Sequence, residues 1–224
     1  MEVKKILIIA PHPDDETIGL GGTIAKLSNQ GHLVHVLIVS GHLPPIYNIK
    51  DYEKTVLEAK NAFKILGVSN FNFLKIPATM IGEIPISELN SKISKVVNEV
   101  QPNIVFCPFP DRHIDHRIVF DSVMVATRPV GDGKNINIVA AYETLSETHW
   151  NAPHIEPNFT PNWVIDISEF IDLKLKALKC YESQISEFPG PRSLEAARAL
   201  AKFRGTQSGF GYGEGLHIIR KINF

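Results

Sequence analysis

Short runs of consecutive apolar residues punctuate the first two-thirds of the chain, with amphipathic stretches between them. Residues 6–10 are apolar on both faces and stop at Pro11, which predicts a fully buried strand. Residues 33–39, 71–76, 104–107 and 136–142 predict four more strands of this type. Helices are expected between them. Residues 23–30 end at Gly31; Tyr52, Val56, Ala59, Phe63 and Leu66 fall at helical spacing before Gly67. Leu89, Ile93, Val96, Val97 and Val100 form a third stripe closed by Pro102, and residues 114–126 a fourth. Beyond Glu143 the period weakens. Residues 144–161 predict a long loop, 163–167 a strand, 170–185 a helix, 188–191 a break, 194–203 a helix and 216–222 a last strand.

Strands that are apolar on both faces and alternate with helices specify a parallel sheet covered on each side. The expected fold is therefore α/β: a Rossmann-like open parallel sheet with helices on both faces, a three-layer α/β/α sandwich with core strand order 3-2-1-4-5. Residues 1–224 read as one domain, with 1–143 as the Rossmann-like core and 144–224 completing it.

Composition narrows the function. Lys+Arg 23 against Asp+Glu 24 gives a net charge of -1, without the basic excess expected of a nucleic-acid or anionic-membrane binder. No run approaches the ~20 apolar residues of a membrane span, and residues 6–10 are too short for a secretory signal. The expected compartment is the cytoplasm. Two cysteines, Cys107 and Cys180, exclude a disulfide framework and a cysteine-based zinc module. Nine histidines remain.

Two loops concentrate the chemistry. The first strand is followed by Pro11-His12-Pro13-Asp14-Asp15-Glu16, and the fourth by Asp111-Arg112-His113-Ile114-Asp115-His116. Either set of acids alone serves equally well as helix caps. Gly19, Gly21 and Gly22 do not make a dinucleotide loop, because Ile24 stands where a third glycine belongs and the acids would repel a pyrophosphate. With order 3-2-1-4-5, however, strands one and four are neighbours and both loops open onto one crevice. Two histidines and a carboxylate there suit a divalent metal with an open position, zinc above all, or Fe2+. Remaining carboxylates are then available to activate water.

These residues carry a resemblance. Ala10-Pro-His-Pro-Asp-Asp-Glu16 with His113-x-Asp115-His116 resembles the LmbE-like, or PIG-L, family of zinc-dependent N-deacetylases, echoed by Glu58-Ala-Lys-Asn-Ala62, Arg204-Gly205 and Tyr212-Gly-Glu214. The resemblance implies removal of an N-acetyl group from an N-acetylglucosamine-type sugar or conjugate, releasing acetate and an amine. It implies His12, Asp15 and His116 as zinc ligands and Asp14 as the general base. It also implies a protonated His113 that assists the departing groups, and Asp115 orienting an active-site histidine. His42 and His217 are further candidates for substrate contact. Thr55 stands where relatives carry an arginine, with Lys50 and Lys54 as substitutes, and Asp111 where some carry a tyrosine. Hydrolysis of another N-acyl amide and a non-catalytic metabolite-binding module remain the alternatives. The expected partner is a small N-acetylated sugar, with homo-oligomerisation left open.

Overall fold

Strand β1 (Lys5–Ala10) occupies the middle of the sheet because both its faces are apolar: Ile6 through Ala10 are all fully buried. The computed structural model describes residues 2–222. On one side β1 pairs in parallel with β2 (Leu33–Gly41), which pairs with β3 (Asn70–Pro77); on the other it pairs with β4 (Ile104–Pro108), then β5 (Ile138–Tyr142). Ile8 sits opposite Val36 and Phe106, so β-branched and aromatic side chains flank the central strand in register. The expected order 3-2-1-4-5 is present.

The sheet is not wholly parallel. Strand β7 (Gly213–Lys221) runs antiparallel beside β5, and β6 (Trp163–Asp166) runs antiparallel to β7 at the edge, giving the order β3-β2-β1-β4-β5-β7-β6. Apolar runs do not encode direction, so strands after residue 143 could not be oriented from their pattern.

Helices cover both faces. Ile6, Ile8 and Ala10 share one core with Leu20 and Ile24 of α1 (Asp15–Asn29), Phe63 of α2 (Ile49–Leu66), Leu175 of α5 (Ile171–Leu178) and Ala197 of α6 (Leu194–Thr206). Leu7 and Ile9 face the opposite layer, with Leu89 and Ile93 of α3 (Ile86–Val100) and Val119 and Val123 of α4 (Ile114–Ala126). Each fully buried Leu, Ile or Phe contributes roughly 1.5–3 kcal/mol. No helix among the described residues is long and apolar enough to cross a membrane.

Two helix boundaries differ from expectation, and both matter for the site. Helix α1 begins at Asp15, eight residues before the pattern implied, so Gly19, Gly21 and Gly22 lie inside it. They are packing positions: a Cβ on Gly19 would meet the Tyr142 ring at 2.4 Å, and one on Gly22 would meet Ile167 at 2.6 Å. Helix α5 stops at Leu178, and the chain from 179 to 193 becomes irregular before α6.

Candidate metal centre and cleft

The backbone turns sharply where β1 hands over to α1. Asp14 holds φ 119°, a conformation L residues rarely adopt. Its carbonyl accepts from the Thr17 and Ile18 amides, and its own N–H donates to Glu16 Oε2 at 3.2 Å. Glu16 is fully buried and held by Thr17 Oγ1 and the Tyr181 hydroxyl. The turn directs His12 and Asp15 to one side, where Asp15 Oδ2 accepts from the His12 N–H at 3.0 Å and lies 3.2 Å from His12 Nδ1. Asp14 faces elsewhere, toward Arg192 Nη1 at 3.1 Å.

The loop after β4 reaches the same place. His116, on the first turn of α4, is fully buried with Nε2 3.3 Å from Asp15 Oδ2. Its Nδ1 is 3.0 Å from Asp111 Oδ2, which also accepts from Thr148 Oγ1 at 2.8 Å. Asp111 Oδ1 accepts from the His113 N–H, so one carboxylate fixes both the loop and the His116 ring. Asp115 Oδ2 accepts from the Thr79 N–H and lies 3.0 Å from His12 Nε2. The two sequence clusters therefore converge, as the strand order requires.

Two overlapping triads place donor atoms within 4.8 Å of one another: His12, Asp15 and His116; and His12, His113 and Asp115. The first fits a metal better. It has two buried atoms without hydrogen-bond partners, Asp15 Oδ1 and His116 Nε2, against one in the second, Asp115 Oδ1, where His113 Nδ1 already accepts from the Asp115 N–H at 3.1 Å. Once a metal displaces the Nε2 proton, an Nδ1–H donated to Asp111 would leave the His116 Nε2 lone pair for the ion, the usual arrangement of a metal-binding imidazole.

Protonation follows from these contacts. Burial pulls the His12 pKa down, but hydrogen bonds to Asp115 and Asp15 outweigh it and raise it to about 9. Burial likewise opposes His116, and the charges of Asp15 and Asp111 lift it to about 10. Both carry protons that a divalent ion would replace. Asp14 is raised to about 7 by burial, against the lowering pull of Arg192. Burial, together with the charges of His12 and His116, lowers the His113 pKa. Its Nδ1 accepts from the Asp115 N–H, which leaves Nε2 to carry a ring proton.

A cleft of about 110 Å³ opens over the cluster, lined by His12, Asp14, His113, Gly41, Thr79 and an outer wall of further side chains. On that wall His42 packs against Tyr47 with ring centroids 4.5 Å apart, beside Gln184, Glu147 and Arg192. His42 is thus at the cleft, as expected. His217 is not: it lies on β7, where its Nδ1 donates to the Thr160 carbonyl at 2.8 Å, so strand register turns it toward the 144–161 loop. Lys54 pairs with Glu58 on α2, and neither it nor Lys50 lines the cleft.

Asp111, Glu147, Gln184 and Arg192 went unrecognised as site residues. Asp111 already stood inside the second cluster. Arg192 follows the Pro-Gly-Pro break, and nothing local to it signals a contact with a residue 178 positions earlier.

Comparison with known proteins finds relatives along nearly the whole chain. A sequence model described as GlcNAc-PI de-N-acetylase (PIG-L) matches residues 7–127. The chain is 32% identical to the diacetylchitobiose deacetylase of Thermococcus kodakarensis, over 99% of this chain and 85% of that one. Among solved structures, the N,N'-diacetylchitobiose deacetylase from Pyrococcus horikoshii aligns with a TM-score of 0.77 at 27% identity, covering 97% of this chain and 84% of that one. The 4-carboxy-2-hydroxymuconate hydratase GalB from Pseudomonas putida aligns with a TM-score of 0.80 at 20% identity, covering 99% and 98% respectively. That last likeness concerns the fold alone, since one scaffold hosts different reactions.

Proposed function

Because this chain belongs to the PIG-L family of de-N-acetylases, we propose that it is a zinc-dependent hydrolase. It removes the N-acetyl group from an N-acetylglucosamine-type sugar or conjugate. The observation that carries this reading is the buried His12–Asp15–His116 triad, with its unpartnered donor atoms, beside a carboxylate whose pKa lies near neutrality. Residues 1–143 supply the ligands and 144–224 supply Glu147, Gln184 and Arg192, so the whole chain acts as one deacetylase domain.

His12, Asp15 and His116 hold the ion, with Asp111 orienting His116 and Asp115 orienting His12. Zinc is the expected ion, and Fe2+ suits the same nitrogen and oxygen donors. When bound, such an ion lowers the pKa of water and polarises a carbonyl. Asp14 takes the proton from the attacking water; a base with a pKa near the working pH combines availability with strength. Arg192 keeps Asp14 oriented through Nη1 and lowers its pKa. His113, through Nε2–H, donates a hydrogen bond to the carbonyl oxygen as charge develops there, and the proton that Asp14 took from water passes to the leaving amine. The products are acetate and a free amine.

The test is acetate release from a panel of N-acetylhexosamine glycosides by metal-free and zinc-reconstituted protein, with metal content measured alongside. Activity should track bound metal. A metal-free preparation that is fully active removes the zinc reading. Release from other N-acyl amides but from no N-acetylhexosamine moves the assignment to that class.

A further inference from the structure

The charges at the cleft mouth are already matched, and this bears on which conjugate the sugar carries. Among the described residues lining the cleft, Arg192 is the one permanent cation. Its guanidinium reaches Asp14 Oδ2 at 3.1 Å, Ser146 Oγ at 3.2 Å and Glu147 Oε1 at 3.7 Å. The other Glu147 oxygen meets Arg112 Nη1 at 3.3 Å, and the Arg112 guanidinium lies 6.0 Å over the Trp150 ring. Glu147 thus ties down both guanidiniums nearest the opening, and its side chain is only 12% exposed.

Helix α2 offers no replacement. The Thr55 side chain is buried and its hydroxyl donates back to the Tyr52 carbonyl, while the Lys54 ammonium lies 4.0 Å from Glu58. Opposite Glu147, the wall consists of uncharged readers. Tyr47 and His42 present paired rings with centroids 4.5 Å apart. Gln184 donates to Ser183 Oγ through Nε2, which leaves its carbonyl oxygen for a hydroxyl.

Resting on the deacetylase reading, we infer that Glu147 makes this cleft selective for uncharged N-acetylated glycosides. Glycosides bearing a phosphate or carboxylate next to the acetamido sugar are selected against. An anion there meets guanidiniums already neutralised and two carboxylates, Asp14 and Glu147, that repel it. A hydroxyl-rich neutral neighbour finds rings to stack on and amide and carboxylate acceptors to bond.

The experiment compares methyl N-acetylglucosaminide with N-acetylglucosamine 1-phosphate as substrates of the zinc-loaded protein. Calorimetry then measures binding of the two corresponding amine products, which cannot turn over. The neutral glycoside should show at least about tenfold higher kcat/KM, and its product the tighter binding, since like-charge juxtaposition is costly. Glu147→Gln should shrink both ratios to within about threefold by removing one carboxylate from the wall and freeing Arg112 from its ion pair, with its melting temperature recorded as a folding control. Equal or better use of the phosphate by the wild type overturns the inference, as does an unchanged ratio in a folded Glu147→Gln or failure of both products to bind. If neither glycoside releases acetate while the products bind in the expected order, the deacetylase reading fails and the selectivity stands.

Discussion

Asp14 and Arg192 form the pair on which the site's pH response turns. Asp14 must be ionised to take a proton, so kcat/KM should fall as pH drops through its pKa of about 7. Arg192→Ala removes a cation that lowers this pKa, and should move the acidic limb of the profile upward by about one unit. Asp14→Asn should retain metal and lose at least about a hundredfold in kcat. A second signature belongs to the ligands. His12 and His116, with pKa values of about 9 and about 10, are charged at pH 7 without metal, whereas zinc takes neutral imidazole. Metal binding at pH 7 should therefore release close to one proton from each, measurable by calorimetry in buffers of different ionisation enthalpy. The sign for stability follows. Both folded pKa values exceed the ordinary 6.5, so in the metal-free protein their contribution is complete below about 6.5 and is lost as pH rises through about 9 to 10. The clustering of His12, Asp15, Asp115 and His116 was legible because unusual density of ligating side chains survives in one dimension; which of them would hold an ion follows from the resemblance alone. Arg192 was not, because its contact depends on an irregular segment folding back across the molecule.

Helix α1 shows how packing overrides local preference. Three glycines and three acids read as loop, since glycine costs about 1 kcal/mol relative to alanine in a helix. The structure reverses the reading for two physical reasons. The acids occupy the positive end of the helix dipole, and the glycines admit Tyr142 and Ile167 against the helix backbone. Tyr142 cannot retreat, because its hydroxyl donates to the Ile9 carbonyl at 3.0 Å. Gly19→Ala should thus lower stability by about 1–2 kcal/mol, overpacking outweighing the gain in helix propensity. Urea denaturation midpoints check it, and an unchanged or raised midpoint would contradict the packing account. Helices α2, α3 and α4 were legible to within a few residues because an exposed face leaves their period visible. Helix α5 was overread, since apolar residues after Leu178 continue the pattern while the backbone departs from it.

At the scale of the molecule, the candidate metal site joins the loop after β1 to the loop after β4, on either side of the sheet's crossover point. Removing the ion should loosen both at once. A ligand at a hundred times its Kd stabilises by about 2.7 kcal/mol, so chelation should lower Tm by roughly 5–10 °C for a chain of this size, and readdition of zinc should restore it. The central five-strand order was anticipated by analogy with doubly wound sheets, whereas the antiparallel pair at the far edge depends on long-range contacts with no local mark. That pair has a consequence for how the chain is assembled. Among the described strands, β6 has β7 as its single neighbour, although 46 residues lie between Asp166 and Gly213 at the near end of the ladder and 52 between Trp163 and Leu216 at the far end. During synthesis from the N-terminus, the metal ligands and five parallel strands emerge first, while β6 waits without a hydrogen-bonding partner until the last strand leaves the ribosome. Loss of β7 therefore unzips two ladders, and the nascent chain acquires its ligand set long before it acquires the wall that holds Arg192.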